Sequence, residues 1–418
     1  MAAESTPASP TELRAVRRSL TAANDAKVLQ VVKMVDDMVD RGAADGLIEP
    51  LRTRLAQLRP PRRLRLERLL FTPLDPLIVP ARHWRPQDPT IPRNALIPIA
   101  GTVRIALGRD IHQIDALIAG KTTLDTDAAM QAGEQLWPTA ARVLAMAPMP
   151  PGWVEAGLKP ATYEPLVRSV AAILGRLPVL MPLFEDASGG LIAPREEAIE
   201  AIVAGLAVEP HLTQAMVIGL LMTRLPQVGS LLQRLESTSR DRQERIMLRR
   251  ASDQAADVML DRLERDGGAK SQIVNASLAD ASVETRRLTM LLDELESHSG
   301  SPERRSRLKT LRTRLDASCR ARFIGGLNEE LLGPLQSLVT TIDRPMQTQL
   351  ETAARQLRSL ETNGRRIGDS TIYDGLLQQA LTTVRSVDPS ALNVLRAARL
   401  VEILAGSEAA MALLEEPR

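Results

Sequence analysis

Residues 271–296 decide the fold class, and their sequence is SQIVNASLADASVETRRLTMLLDELE. Charge-rich stretches of similar length lie on either side, at 241–265 and 302–332, and short glycine-containing breaks separate the three. The lengths and the breaks predict long helices packed in an antiparallel array. Four leucines recur in the middle stretch at the spacing of one helix face: Leu288, Leu291, Leu292 and Leu295.

The apolar composition favours helices over sheets along the whole chain. Hydrophobic residues make up 44% of the 418 residues, but phenylalanine, tryptophan and tyrosine together make up only 2%. Sheets favour aromatic and β-branched residues, whereas leucine, alanine and methionine suit helices. We therefore predict an all-α fold with two domains. Residues 1–237 would form an irregular helical domain with a proline-rich extended strap at 59–98, and residues 238–418 an array of long antiparallel helices.

Apolar periodicity, with breaks at proline and glycine, predicts further helices. Between residues 72 and 94, proline recurs too often for a helix, yet apolar residues are too frequent for a solvated linker. That segment is predicted to be extended, and to be ordered by side-chain burial rather than by regular hydrogen bonds. The predicted helices lie at 25–41, 62–71, 126–147, 163–177, 195–208, 211–225, 346–360, 371–384 and 388–404.

The stretch 51–109 differs from the rest of the chain in charge. It holds twelve arginines against three acids, a net charge of +9, whereas the whole chain has a net charge of +2. The following region, 110–237, holds eight basic and fourteen acidic residues. A localised basic field attracts phosphates, anionic lipid or an acidic protein face. The candidate partner-binding residues are Arg62, Arg63, Arg65, Arg68, Arg82, His83, Trp84, Arg85 and Arg93.

The basic field has four possible interpretations. A nucleic acid would be bound by the arginines through its phosphates, with Trp84 stacking on a base. The field could instead dock on an acidic surface, either on a partner or on region 110–237 of the same chain. It could also be a solvated face whose arginine stems cover the apolar core. A membrane surface is the least expected, and would take four apolar side chains below an arginine rim: Leu66, Leu69, Leu70 and Phe71.

No motif predicts a catalytic, cofactor or metal site. Residues 119–123, AGKTT, resemble the end of a phosphate-binding loop, but Asp115 stands where that loop requires glycine. The single cysteine, Cys319, follows leucines at helical spacing and is predicted to be buried. Four histidines occur without the spacing of metal ligands: His83, His112, His211 and His298.

The sequence therefore predicts a non-catalytic helical protein for interaction, scaffolding or regulation, which binds a protein partner. A nucleic-acid-binding protein that uses segment 51–109 is the alternative, and an enzyme with a site near His83 and Trp84 is the third hypothesis. No secretory signal and no uninterrupted apolar segment of membrane-spanning length are recognised. We therefore expect a cytoplasmic protein without a transmembrane span.

Overall fold

The structure is a computed structural model that describes residues 23, 25–37, 51, 55, 61–188, 196–225, 227–265, 273–297, 301–337, 342–368 and 371–415. These residues belong to two compact units, Met1–Glu185 and Asp186–Arg418. The boundary predicted at residue 237 falls inside the second unit, and as a statement about domains that fold independently it stays a prediction. The described residues are helical apart from two short strands and connecting turns, so the predicted all-α fold is confirmed.

The first unit contains two long helices that begin at the predicted residues, and several shorter ones. The helices are α1 (Asp25–Asp37), α2 (Leu66–Phe71), α3 (Leu96–Leu107), α4 (Ile111–Ile118), α5 (Thr126–Met146), α6 (Gly152–Glu155) and α7 (Tyr163–Ser188).

Two predicted helix boundaries in this unit are wrong. Helix α7 was expected to end at Leu177, but it continues through Pro178 and Pro182. Burial of Leu180, Leu183 and other apolar side chains along this helix offsets the backbone hydrogen bonds that the two prolines remove. Helix α2 begins at Leu66 rather than at residue 62, because residues 62–64 pair with a loop instead.

The proline-rich segment forms no α-helix between residues 72 and 94, as predicted, but it is more regular than an extended strap. Three 3₁₀ turns, Thr72–Leu77, Ala81–His83 and Arg93–Ala95, follow one another along it. Strands β1 (Ile78–Val79) and β2 (Ile91–Pro92) pair in parallel. Burial orders the segment as expected, and local backbone hydrogen bonds contribute as well, contrary to the prediction. Its buried apolar side chains are Leu74, Leu77, Ile78, Val79 and Ile91.

Trp137 joins helix α2, which directly precedes this segment, to helix α5. Its side chain is almost fully buried, and its indole N–H donates to the Leu69 carbonyl at 3.1 Å. Gly133, one turn earlier in α5, provides the space for the ring: a Cβ atom there would lie 2.3 Å from it. The pair shows how a glycine inside a helix allows a large aromatic side chain to fold back along that helix.

The second unit is built from longer helices, several of them at the predicted positions. They are α8 (Glu196–Ala204), α9 (His211–Arg224), α10 (Val228–Thr238), α11 (Arg242–Arg265), α12 (Leu278–Ser297), α13 (Pro302–Gly326), α14 (Gly333–Gln336), α15 (Arg344–Ile367), α16 (Thr371–Ser386), α17 (Val394–Ala405) and α18 (Ser407–Glu415).

Contacts between side chains confirm the antiparallel array. Arg312 of α13 contacts Asp293 near the end of α12, whereas Cys319, one to two turns later, contacts Thr285 nearer the start of α12. The two helices therefore run in opposite directions. Arg304 and Arg307, near the start of α13, contact Asp253 and Asp261 of α11 in the same order along the chain, so α11 and α13 run in the same direction in direct contact with each other.

Four predicted elements of this unit differ from the structure. The helix predicted from residue 271 begins at Leu278 instead, after a break at 275–277. The helix predicted over 302–332 changes to a π-helical segment at Leu327–Leu332. Helix α17 begins at Val394, not at residue 388, because the Asn393 side chain accepts the Arg396 N–H and caps the helix there. The Asp388 side chain accepts the Ser390 N–H, so it stabilises a turn ahead of α17. The helix predicted over 195–208 ends at Ala204, where turns replace it.

Candidate functional site

The basic segment of the first unit packs its apolar side chains inward and leaves part of its arginines in solvent. Leu64 and Leu66 are buried on either side of Arg65, and the following residues 69–71 are buried as well. Of the nine candidate residues, three are exposed: Arg63, Arg82 and Arg85. The other six are half-buried: Arg62, Arg65, Arg68, His83, Trp84 and Arg93. The further arginines Arg52, Arg54 and Arg59 of this segment lie outside the described residues.

Arg63 stands on a short antiparallel bridge opposite Thr122. The Leu64 N–H donates to the Lys121 carbonyl and the Thr123 N–H donates to the Arg62 carbonyl, each at 2.8 Å. The Arg68 guanidinium donates to the Arg63 carbonyl. The backbone around Arg63 is therefore fixed on both sides while its side chain remains in solvent.

Arg82 and Arg85 lie on a loop, residues 80–90, whose two ends are joined by the pairing of β1 with β2. The Trp84 indole N–H donates to the Thr90 carbonyl at 3.1 Å across the base of this loop. The Arg82 Nε–H donates to the His83 ring at 3.0 Å. A compact surface loop with close ends and internal packing is a common position for recognition residues.

Arg109 is a further exposed arginine that the list of candidates did not contain. It lies in the 3₁₀ turn Gly108–Asp110 between α3 and α4. Arg104, also exposed, is paired with Glu67 of α2 at 2.7 Å. Arg63, Arg82, Arg85 and Arg109 make no ion pair with any residue that the structure describes. We refer to these four as the outward arginines.

The membrane interpretation of this segment is wrong in the form that the sequence suggested. The four apolar side chains expected to insert into lipid are in the core of the unit, with exposures between 0% and 4%: Leu66, Leu69, Leu70 and Phe71. Among the described residues, Pro160–Phe184 is the one helical stretch long and apolar enough to span a membrane, and most of it belongs to α7. Of its most apolar part, 56% is buried. Such burial is typical of a core helix.

The loop that resembles a phosphate-binding motif uses its own backbone donors. The Thr122 N–H and hydroxyl both donate to Asp125, at 2.7 and 3.0 Å. These hydrogen bonds lower the pKa of Asp125 below its ordinary value, the backbone one most strongly. The Lys121 N–H donates to the Ile118 carbonyl, and the Thr123 N–H is part of the bridge described above. A phosphate cradle needs such N–H groups to point at the ligand.

The single cysteine is buried, as predicted. Its thiol lies 3.3 Å from the Thr285 hydroxyl, and burial raises the pKa of Cys319 to about 11. A thiol with a raised pKa stays protonated and is a poor nucleophile at neutral pH. The neighbouring Arg320 is paired with Asp316 and does not produce the lowered pKa that a reactive cysteine requires.

The histidines are separated in the part of the chain that the structure describes. His112 is exposed on α4, His211 begins α9, and His298 lies outside the described residues. Across the described ranges, no three histidine, cysteine, aspartate or glutamate side chains are grouped as metal ligands.

Comparison with known proteins adds no assignment, since no family profile, no curated protein and no solved structure matches the chain.

Proposed function

We propose that this chain is a non-catalytic helical interaction protein, and that its outward arginines bind an acidic surface on a partner protein. The observation that supports the proposal is the division of one segment into a buried apolar side and an exposed basic side. Leu74, Ile78 and Ile91 hold the segment against the core, while Arg82 and Arg85 project from the loop between them. Protein interfaces are enriched in arginine, and a fixed backbone lowers the entropy lost on binding.

Trp84 favours a protein partner over a nucleic acid. Stacking proteins use an accessible aromatic face, often with arginines along the strand. Trp84 is the single tryptophan, tyrosine or phenylalanine among the candidate residues, and it is half-buried with its indole N–H bonded to the Thr90 carbonyl. Its geometry therefore supports a role in fixing the loop.

The test is affinity purification from the native host with a charge-reversed variant of the full chain. The variant carries Arg63→Glu, Arg82→Glu, Arg85→Glu and Arg109→Glu, and the control carries the same change at four exposed arginines of the second unit: Arg286, Arg305, Arg314 and Arg385. Circular dichroism establishes that both are folded. The proposal predicts that one or more partners are lost by the variant and retained by the control.

Two results would contradict this proposal. An unchanged set of partners in the variant would separate the outward arginines from function. Binding of generic duplex DNA or RNA that falls steeply with salt, and that the variant abolishes, would instead support the nucleic-acid alternative.

A further inference from the structure

Helix α11 has an even mixture of charges in sequence, but the fold separates them. The carboxylates of its C-terminal half face α13. Arg304 contacts Asp253 at 2.8 Å and Asp257 at 2.9 Å. Arg307 contacts two further acids of α11, at 2.5 and 2.7 Å: Asp261 and Glu264. The acids that would neutralise this helix are therefore occupied by arginines of another helix.

The N-terminal half of α11 has an exposed basic face, with four arginines against the two acids Asp241 and Glu244. Its four arginines are exposed and stand at positions i, i+3, i+7 and i+8, which places them on one side over a length of about 12 Å. None of them makes an ion pair with a residue in the described ranges. Ile246 lies among them with 49% of its surface exposed. We refer to the five as the α11 basic face: Arg242, Arg245, Ile246, Arg249 and Arg250.

The two acids nearest to this face hold the start of the helix. The Asp241 side chain accepts the Gln243 N–H at 2.8 Å. Glu244 accepts the Ser239 hydroxyl at 2.5 Å. The Arg245 guanidinium donates to the Ser239 carbonyl at 3.3 Å, and this neutral partner does not offset the positive charge of Arg245.

The basic face does not stabilise the helix that carries it. Cations near a helix N-terminus oppose the helix dipole, and like charges three or four residues apart, such as Arg245 and Arg249, repel each other. Each effect destabilises an isolated helix. An external polyanion would reverse both effects, because it places negative charge at the helix N-terminus and between the arginines.

We propose that the α11 basic face binds an acidic amphipathic helix of a partner protein, with carboxylates around an apolar side chain that covers Ile246. A two-fold contact of this face with itself in a second copy does not fit, because four positive charges would meet four positive charges. A lipid surface would require a wider apolar area than one isoleucine. An apolar centre with a charged rim is instead typical of a protein–protein interface. This face belongs to the second unit and the outward arginines belong to the first, so the inference does not rest on the proposed function.

The test uses the full chain and a fluorescent synthetic helix of about 15 residues, with glutamates on either side of a leucine stripe. Its matched control is the same peptide with glutamine in place of glutamate. Fluorescence anisotropy is measured at low and at physiological salt, and also with the charge-reversed variant of the outward arginines. We expect binding of the glutamate peptide that weakens with salt and that persists in that variant.

Two variants of the face sharpen the test. The triple change Arg245→Glu, Arg249→Glu and Arg250→Glu is expected to weaken peptide binding by about tenfold or more. It should leave the helix folded, because all three side chains are exposed and glutamate is a good helix former. The control with Arg286→Glu, Arg305→Glu and Arg314→Glu should bind like the wild type. Ile246→Ser should weaken binding severalfold without altering its salt dependence.

Three results would overturn the inference. The glutamate peptide could fail to bind at low salt, or the glutamine peptide could bind equally well. A short generic DNA duplex could also bind more tightly than the peptide and be lost in the triple variant. That result would assign the face to nucleic acid.

Discussion

The first unit and helix α13 of the second unit use arginine in opposite ways. Arg304 of α13 is only 6% exposed and joins two helices through Asp253 and Asp257. Arg82 and Arg85 of the first unit project into solvent from a segment that burial of apolar side chains holds in place. The same residue type therefore contributes to folding in one region and is available for binding in the other.

The largest effect should follow from removing the anchor of the basic segment. Trp137→Ala deletes a buried indole and its hydrogen bond to the Leu69 carbonyl. We expect the free energy of unfolding to fall by about 3–5 kcal/mol, the usual range for an aromatic-to-alanine change in a core. Denaturant unfolding measures this loss. An effect below about 1 kcal/mol would contradict apolar anchoring of the segment.

The second-largest loss of stability should follow from a change at Arg304, the arginine of α13 that contacts two acids of α11. Arg304→Met keeps most of the apolar stem but leaves Asp253 and Asp257 without their partner. Because both carboxylates are about half exposed, we expect a loss of about 1–3 kcal/mol rather than the larger loss typical of a fully buried pair.

Arg85→Met is the matched change in the first unit, since the Arg85 side chain is exposed and makes no ion pair with a described residue. Its expected effect lies within about 0.5 kcal/mol. Equal losses of unfolding free energy for the two variants, measured in urea, would remove the distinction between the paired arginines of α13 and the outward arginines.

The count of charged residues in the sequence located the basic segment. It could not distinguish arginines that join helices from arginines that remain in solvent. Arg63 and Arg65 are two residues apart in one basic run, yet the first is exposed and the second half-buried. The pairing of residue 63 with Thr122 determines which side of the extended backbone faces the core, so that Leu64 is buried and Arg63 is exposed, whereas Arg65 directly precedes α2. Sequence spacing cannot locate a partner strand sixty residues away.

Long helices were predictable because apolar periodicity and capping are local. The apolar face of α12 and the proline at the start of α13 are both readable from neighbouring residues. Neighbouring residues did not predict the π-helical segment after Gly326 or the basic face of α11. The first lacks a local signal, and the second exists because α13 occupies the acids of α11.

Replacement of two helical glycines by alanine should change stability by smaller amounts and in opposite directions. Gly101→Ala on α3 meets no atom within 4 Å, so the better helix propensity of alanine should raise stability by up to about 1 kcal/mol. Gly133→Ala on α5 places its Cβ against the Trp137 ring and should lower stability instead. Thermal unfolding of both variants checks the signs. Two changes of the same sign would show that contact with Trp137 does not determine the effect at Gly133.

The smallest effects concern pH, and again they differ between the units. Burial raises the pKa of Glu294 in the second unit, and the N–H groups of Gly229 and Gln227 offset only part of that rise. A raised folded-state pKa stabilises the protein below the unfolded pKa, and this contribution is lost as pH rises through the folded one. Glu294→Gln should therefore gain stability relative to the wild type as pH rises from about 4 to 7.

Asp125 in the first unit should show the reverse dependence. Its lowered pKa contributes stability above the unfolded pKa, and this contribution is lost as pH falls through the folded one. Asp125→Asn should therefore flatten the acid side of the stability profile. A steeper acid side in the variant than in the wild type would contradict the role of the Thr122 hydrogen bonds.

The central claim is that the outward arginines are available for binding because the fold does not need them. Denaturant unfolding of two fourfold Arg→Gln variants tests it most directly. One changes the outward arginines, and the other changes four paired arginines of α13: Arg304, Arg307, Arg312 and Arg322. We predict a change within about 1 kcal/mol for the first and a loss of several kcal/mol for the second. A comparable loss in the first variant would contradict the claim.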